Sequence, residues 1–335
     1  MKVLGIETSC DDTAAAVAEN TTGVLASVVG VQKVHEAYGG VVPELASREH
    51  LHKIHSVYAE CMERAGLRPE DLDGIAVTCG PGLIGSLLVG LSFAKGLSYS
   101  TGLPFVGVNH VEAHLFSFLP GDLPCPYPFV GLVASGGHTE MVHVRGFEDY
   151  KVMGSTIDDA AGEAFDKVGV LLGLTYPAGA ALDDLANYGD PEAVSLPGVK
   201  LKNAGPYDLS FSGLKTAVRR RIESREGRMT RRDRADVAAS FRRRVVEDLV
   251  EKLFAATRDA GVRRVLLAGG VSRNTLLREA ARREGERAGV DVVIPEAFYC
   301  SDNAAMVACL GSIKLRRGAR SSFALDAFAT MGDLA

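Results

Sequence analysis

The chain has 335 residues, 47% of them hydrophobic and 24% charged, which fits a folded domain or pair of domains with a sizeable core. A formal net charge of −5 excludes nucleic-acid binding through global charge, so any such contact needs a local basic patch. No run of about 18 uncharged apolar residues occurs, so no membrane span is expected, and with Glu7 so close to the start no signal peptide is expected either. The six cysteines are scattered without a C-x-x-C pair and read as small buried hydrophobes in a reducing compartment. The expected location is cytoplasmic.

Residues 3–6 read as a buried strand that enters the polar turn Glu7-Thr8-Ser9-Cys10-Asp11-Asp12-Thr13 and returns as a small-residue strand over 14–18. Taken alone the turn reads as an ordinary hairpin, though its hydroxyls and N–H groups also suit a phosphate pocket. The loop Tyr38-Gly39-Gly40-Val41-Val42-Pro43-Glu44 leads into a long helix over 46–65. Its His50, His52 and His55 alternate with apolar and basic residues and are expected on a solvated face. A strand over 72–77 ends in a glycine-rich turn from Cys79 to Ser86, which opens a helix over 87–98 that is apolar nearly all round. That helix suits burial, a docked partner helix, or an anion at its N-terminus.

A strand over 105–108 delivers the chain to Asn109-His110-Val111-Glu112-Ala113-His114. Histidines four apart on a helix project from one face, the spacing of paired metal ligands. Glu112 falls about 200° round the helix from His110. It does not take the place of the glutamate in H-E-x-x-H, which argues against a metalloprotease. The prolines at 120, 124, 126 and 128 then mark a boundary.

Beyond them the pattern restarts. Residues 129–133 read as a strand, Ala134-Ser135-Gly136-Gly137-His138-Thr139 as a turn and 140–144 as the return strand. Gly5, Ser9 and Thr13 match Gly131, Ser135 and Thr139 at one offset, an internal duplication. Two such hairpins facing across a cleft suit a clamp for a polyphosphate or acyl phosphate. A helix is expected over 155–172, with Asp159, Glu163 and Asp166 on one face, and a short helix over 180–188 carries Asp183 and Asp184. The region 219–244 is dense in arginine, either a solvated helix face or a phosphate-backbone contact. A long helix over 236–260 precedes a strand over 265–268, the turn Gly269-Gly270-Val271-Ser272-Arg273-Asn274 and a helix from Thr275, an arrangement that gives a flat ligand close access to backbone. A last helix over 304–316 is expected to be capped by Ser301, with Asp302 in its first turn as a suitable carboxylate ligand.

Taken together, these motifs resemble the TsaD family of bacterial tRNA threonylcarbamoyladenosine enzymes. The resemblance rests on the segments beginning at Glu7, Gly39, His110, Ser135, Asp158, Ser210 and Asp302. It departs from the family pattern only slightly, for example at Ala178, where a glycine is common. It implies an α/β fold of the actin-like ATPase and sugar-kinase (ASKHA) class, two duplicated lobes with a cleft between them. The first lobe is expected at 1–125, with a C-terminal helix at about 304–335 packing back on it. The second is expected at 126–303, with a helical insertion at about 155–235. The implied reaction transfers the L-threonylcarbamoyl group from threonylcarbamoyl-AMP to N6 of adenosine 37 in tRNAs that read codons beginning with adenine, releasing AMP.

The resemblance further implies that His110, His114 and Asp302 hold one divalent metal ion, Fe2+ or Zn2+. Val133, Ala134, Ser135, Gly136 and Gly137 would bind the phosphate and carbamoyl end of the ligand, and Asp166, Gly179, Asp183 and Asn274 its ribose and base. Glu7 or Asp11 is expected to accept a proton from the attacking amine. The expected partners are tRNA, a TsaB-like paralogue and a TsaE-like ATPase. The rival readings are a small-molecule kinase or ATPase of the same fold, and a metalloprotease.

Overall fold

The apolar run that opens the chain becomes β1 (Lys2–Glu7), the middle strand of a five-stranded sheet. The computed structural model describes residues 1–198, 204–225 and 228–330. The chain divides into one unit of residues 1–124 with the segment from 295 onward, and a second of residues 125–294.

In the first unit β2 (Thr13–Glu19) and β3 (Gly23–Gly30) follow β1 in antiparallel succession. The helix α1 (Pro43–Ala65) crosses to β4 (Gly74–Gly80), which runs parallel to β1, and α2 (Ile84–Thr101) crosses to the parallel β5 (Phe105–Asn109). The chain then forms the short α3 (His110–Leu115). The sheet order is β3-β2-β1-β4-β5. Side chains alternate across the strands. Leu4, Ile6 and Val17 therefore pack with Ile54 and Val57 of α1 and Leu91 of α2.

The second unit repeats this plan. β6 (Phe129–Ala134), β7 (Thr139–Gly146) and β8 (Asp149–Ser155) are antiparallel neighbours. Then come α4 (Ala161–Leu171), α5 (Gly179–Ala186), α6 (Ser212–Glu223) and the long α7 (Arg231–Asp259). β9 (Arg264–Ala268) pairs parallel with β6, and after α8 (Thr275–Ala288) the short β10 (Asp291–Val293) pairs parallel with β9. The order is β10-β9-β6-β7-β8. The duplication extends to register. Gly5 pairs with Ala16 and Ile6 with Ala15, while Gly131 pairs with Val142 and Leu132 with Met141, both partners displaced by the same offset.

Finally α9 (Ala297–Cys300) and α10 (Ala304–Arg316) close the second face of the first sheet. Ala304, Ala305, Ala308 and Cys309 pack on Ala14, Ala16 and Ala18 of β2. The fit is close enough that a Cβ built on Gly5 would lie 2.3 Å from the Ala304 carbonyl oxygen and 2.7 Å from the Ala308 nitrogen. Glycine stands at Gly5 because helix backbone occupies the space of a side chain.

Three expectations need correction. The helix expected over 155–172 begins only at Ala161, because Ser155 ends β8, so Asp159 lies before the helix rather than on its face. The last helix spans Ala304–Arg316, as its residue pattern predicts, and not the longer 304–335 expected from the resemblance; residues 331–335 lie outside the described residues. His50 is fully buried, unlike the exposed His52 and His55, because its ring spans Thr13 Oγ1 at 2.8 Å and the Cys10 carbonyl at 3.0 Å.

Replacing Gly5 with alanine should lower stability by about 2 kcal/mol, as expected for a methyl forced into a packed contact. The measurement is the urea midpoint at unchanged slope; an unshifted midpoint would show that α10 moves freely.

Candidate metal centre and ligand cradle

The Asn109 side-chain oxygen accepts the Glu112 N–H at 2.9 Å and caps α3. Starting the helix there sets the His110 and His114 rings with centroids 4.7 Å apart, nearly perpendicular to one another, and every residue of the helix is buried. Asp302 arrives 188 residues after His114. It stands just ahead of α10, whose N-cap is Asn303 rather than Ser301; Asn303 Oδ1 accepts the Met306 N–H at 3.0 Å. Asp302 therefore precedes the helix and is not in its first turn. Its Oδ1 is 3.1 Å from His114 Nε2 and 3.8 Å from His110 Nε2. One ligand atom from each of the three residues lies within 4.8 Å of the others.

Two imidazole nitrogens and a carboxylate oxygen are a donor set suited to a divalent transition metal with coordination positions left for water or substrate. The electrostatics agree. Burial by itself would push the His110 imidazole down, but the carboxylates of Glu7 and Asp302 outweigh it and hold its pKa up at about 9. The pocket thus favours a positive charge. Glu7 itself is fully buried, and against the effect of that burial His110 holds its carboxyl below the usual range. Glu112 is turned onto Lys314 of α10, with Oε2 2.9 Å from Nζ. It serves as a strut between α3 and α10, and the metalloprotease reading is left without its base.

The turn between β1 and β2 lies beside this centre. Ser9 Oγ is 3.0 Å from His110 Nδ1, and the Leu83 N–H is donated to the Ser9 carbonyl at 2.8 Å. Asp11 is partly exposed. Burial first, then the negative charges of Asp11 and Asp302, push Asp12 up to about 7. Asp12 was not among the residues singled out from sequence, since nothing in a single acidic residue of a turn signals its burial.

The other expected ligand residues belong to the second unit. Val133 and Ala134 end β6 and are buried, while Gly136 and Gly137 are exposed. Ser135 holds the turn through N–H to the His138 carbonyl at 2.7 Å, and its own carbonyl accepts the Gly162 N–H at 3.0 Å from the first turn of α4. Only glycine fits at Gly162, because a Cβ there would lie 2.5 Å from the Ser135 carbonyl oxygen. Asp166 Oδ1 accepts the N–H groups of Ala178 and Gly179, each at 2.8 Å, tying the start of α5 to α4. Asp183 Oδ1 accepts from Arg242 and from the Asn274 amide, each at 2.7 Å, while Asn274 Oδ1 caps α8 by accepting the Leu277 N–H at 2.9 Å. Asp166, Gly179, Asp183 and Asn274 are thus joined around α5. The pairing of Arg242 with Asp183 was missed from sequence, where Arg242 counted only within a basic run.

That run divides. Arg242, Arg243 and Arg244 pair with Asp183, Glu192 and Asp248. Arg219, Arg220, Arg225, Arg228, Arg231 and Arg234 are exposed. Residues 226 and 227 of the run lie outside the described residues. Two of the acidic residues expected on one helix face, Asp159 and Glu163, are paired with lysines. Asp159 takes Lys167 at 2.9 Å and Lys215 at 2.6 Å, and Glu163 takes Lys167 at 2.7 Å.

Two units built on one five-stranded plan, each with helices on its sheet, define an actin-like ATPase fold. Component A of (R)-2-hydroxyglutaryl-CoA dehydratase from Acidaminococcus fermentans matches it with a TM-score of 0.57 at 15% identity, over 94% of this chain and 99% of that one. The profile of the family described as TsaD: tRNA N6-adenosine threonylcarbamoyltransferase matches residues 23–309. The tRNA N6-adenosine threonylcarbamoyltransferase of Anaeromyxobacter dehalogenans strain 2CP-C is 49% identical over 97% of this chain and 98% of its own. The protein of that name from Symbiobacterium thermophilum is 47% identical over 98% and 96%. The chain belongs to this family and is a tRNA-modifying acyltransferase.

Removing one member of a buried ion pair strands the other charge. Lys314→Met should therefore cost about 3 kcal/mol or more, and adding Glu112→Gln should recover part of it. Urea unfolding of both variants checks this; a double variant no more stable than Lys314→Met would deny the pairing.

Proposed function

We propose that the chain transfers the L-threonylcarbamoyl group from threonylcarbamoyl-AMP to N6 of adenosine 37 in tRNAs that read codons beginning with adenine. The observation that carries this reading is the convergence of His110, His114 and Asp302 in a chain that matches the family over most of its length. In the reaction the adenine N6 attacks the carbamoyl carbonyl carbon. The C–N bond forms, the bond from that carbon to the phosphate oxygen breaks, AMP leaves, and the amine gives up one proton. The donor is already activated, so positioning and charge stabilisation are the main requirements.

Residues of the second unit hold the donor. The backbone from Val133 to Gly137, with its two exposed glycines, takes the phosphate and carbamoyl end. Asp166, Gly179, Asp183 and Asn274 take the adenylate ribose and base. In the first unit His110, His114 and Asp302 hold one metal ion, Fe2+ or Zn2+, which supplies Lewis acidity to a carbonyl or phosphate oxygen when bound. Of the two acids expected to take the proton, Asp11 is the partly exposed one, while Glu7 has both oxygens engaged by neighbours. The exposed arginines of 219–234 are the surface for tRNA phosphates. A TsaB-like paralogue and a TsaE-like ATPase are the working partners, and the cytoplasm is the working location. Among the described residues no helix is long and apolar enough to cross a membrane.

The direct test supplies purified chain with threonylcarbamoyl-AMP and unmodified tRNA, with and without the two partners, and reads modified adenosine by mass spectrometry. Product should form and should carry the threonylcarbamoyl mass. Phosphoryl transfer from ATP to a small molecule instead would favour the kinase reading. His110→Ala should lose both bound metal and transfer, and full transfer by that variant in chelator would remove the Lewis-acid role. Reversing Arg219 and Arg220 to glutamate should weaken tRNA binding and flatten its salt dependence by about one unit of slope for each phosphate no longer neutralised. Unchanged binding would make those arginines a solvated helix face.

A further inference from the structure

Glu7 is the last residue of β1, and the pairing of β1 with β4 sets Thr78 beside it. Its carboxylate is buried, a placement that is costly unless its oxygens are matched. They are matched by the Ser9 N–H to Oε1 at 2.6 Å, the Thr78 hydroxyl to Oε2 at 2.6 Å, and His110 Nδ1 at 3.0 Å from Oε2. We infer that Glu7 is a positioning residue of the metal centre, holding the His110 ring in the tautomer and orientation that turn Nε2 toward His114 and Asp302.

The chemistry runs from the donors outward. Backbone N–H and hydroxyl groups donate to both oxygens of Glu7, which marks it as an ionised acceptor. An ionised carboxylate beside Nδ1 requires Nδ1 to be the donor. When a metal cation replaces the second proton of the ring, the imidazole keeps its N–H at Nδ1 and Nε2 offers its lone pair. Nε2 is the His110 atom on the Asp302 side, 3.8 Å from Oδ1. A carboxylate behind a ligating histidine fixes the ring and raises its basicity. Ser9 Oγ, also 3.0 Å from Nδ1, shares the task. This role sets Glu7 apart from proton transfer with substrate, since the group is fully buried and each of its oxygens is already engaged inside the protein. The inference rests on the reading of His110, His114 and Asp302 as metal ligands.

The test uses the full chain and two readouts besides activity: Zn2+ affinity by competition with a chromogenic chelator, and the visible spectrum of the Co2+-loaded protein. Glu7→Gln keeps the size of the side chain and removes its charge. It should weaken Zn2+ binding by about ten- to a hundredfold and shift the Co2+ bands, while the circular dichroism of the metal-free protein stays unchanged. Thr78→Val should weaken binding less and in the same direction. If Glu7→Gln binds Zn2+ as the unsubstituted chain does, with the same Co2+ spectrum, while His110→Ala has lost the metal, the inference is overturned and the metal site stands. If His110→Ala also keeps full affinity, the metal reading itself falls. Should Glu7→Gln not fold, Thr78→Val decides, and unchanged affinity and spectrum there overturn the inference.

Discussion

The seating of α10 against β1 and β2 at backbone distance is the constraint on which the rest of the first unit depends. No side chain separates Gly5 from the carbonyl of Ala304, so the helix has one depth at which it can rest on the sheet. That depth fixes where Asp302 stands, since Asp302 is two residues ahead of the helix. It also fixes Lys314, which holds Glu112 and with it the helix that bears both histidines. Interiors packed at this density transmit small shifts rather than absorbing them. A geometry spread over β1, α3 and α10 is therefore set by one packing contact made mostly by alanine and glycine.

The local parts of this arrangement were legible in the sequence. The histidine spacing, the strand–turn–strand repeat and the last helix each follow from short-range pattern, and the structure keeps their positions. The partnerships were not legible, because they join residues that only tertiary structure brings together. Thr78 and His110 reach Glu7 across 71 and 103 residues. Arg242 reaches Asp183 across 59, from near the end of a run read as either a solvated face or a phosphate contact. His50 misled for a related reason. Its helix has polar neighbours at adjacent positions, and alternation along a helix says little about which side faces the sheet. The strand β8 was overlooked because its residues alternate weakly and Lys151 and Asp149 favour a loop or helix start.

The second unit uses acidic residues where the first uses histidines. Asp166 ties α4 to α5, and Asp183 ties α5 to α7 and α8, so one short helix is gripped from three sides by two carboxylates. Buried or half-buried charges matched in this way hold a single arrangement of backbone groups. The Ser135 turn contrasts with this rigidity, since Gly136 and Gly137 are exposed and a Cβ built on either would meet nothing within 4 Å.

The long chain separation within the first unit has a consequence for how the protein is made. His114 and Asp302 stand 188 residues apart, and the whole second unit is synthesised between them. Ribosomes emit chains from the N-terminus at roughly 5–20 residues per second. For on the order of ten seconds or more, at that rate, the nascent first sheet carries its histidine pair with neither α10 nor Asp302 yet in place. The second unit has all its strands by then and can fold ahead of the first. The cluster of His110, His114 and Asp302 is therefore among the last features of the molecule to form.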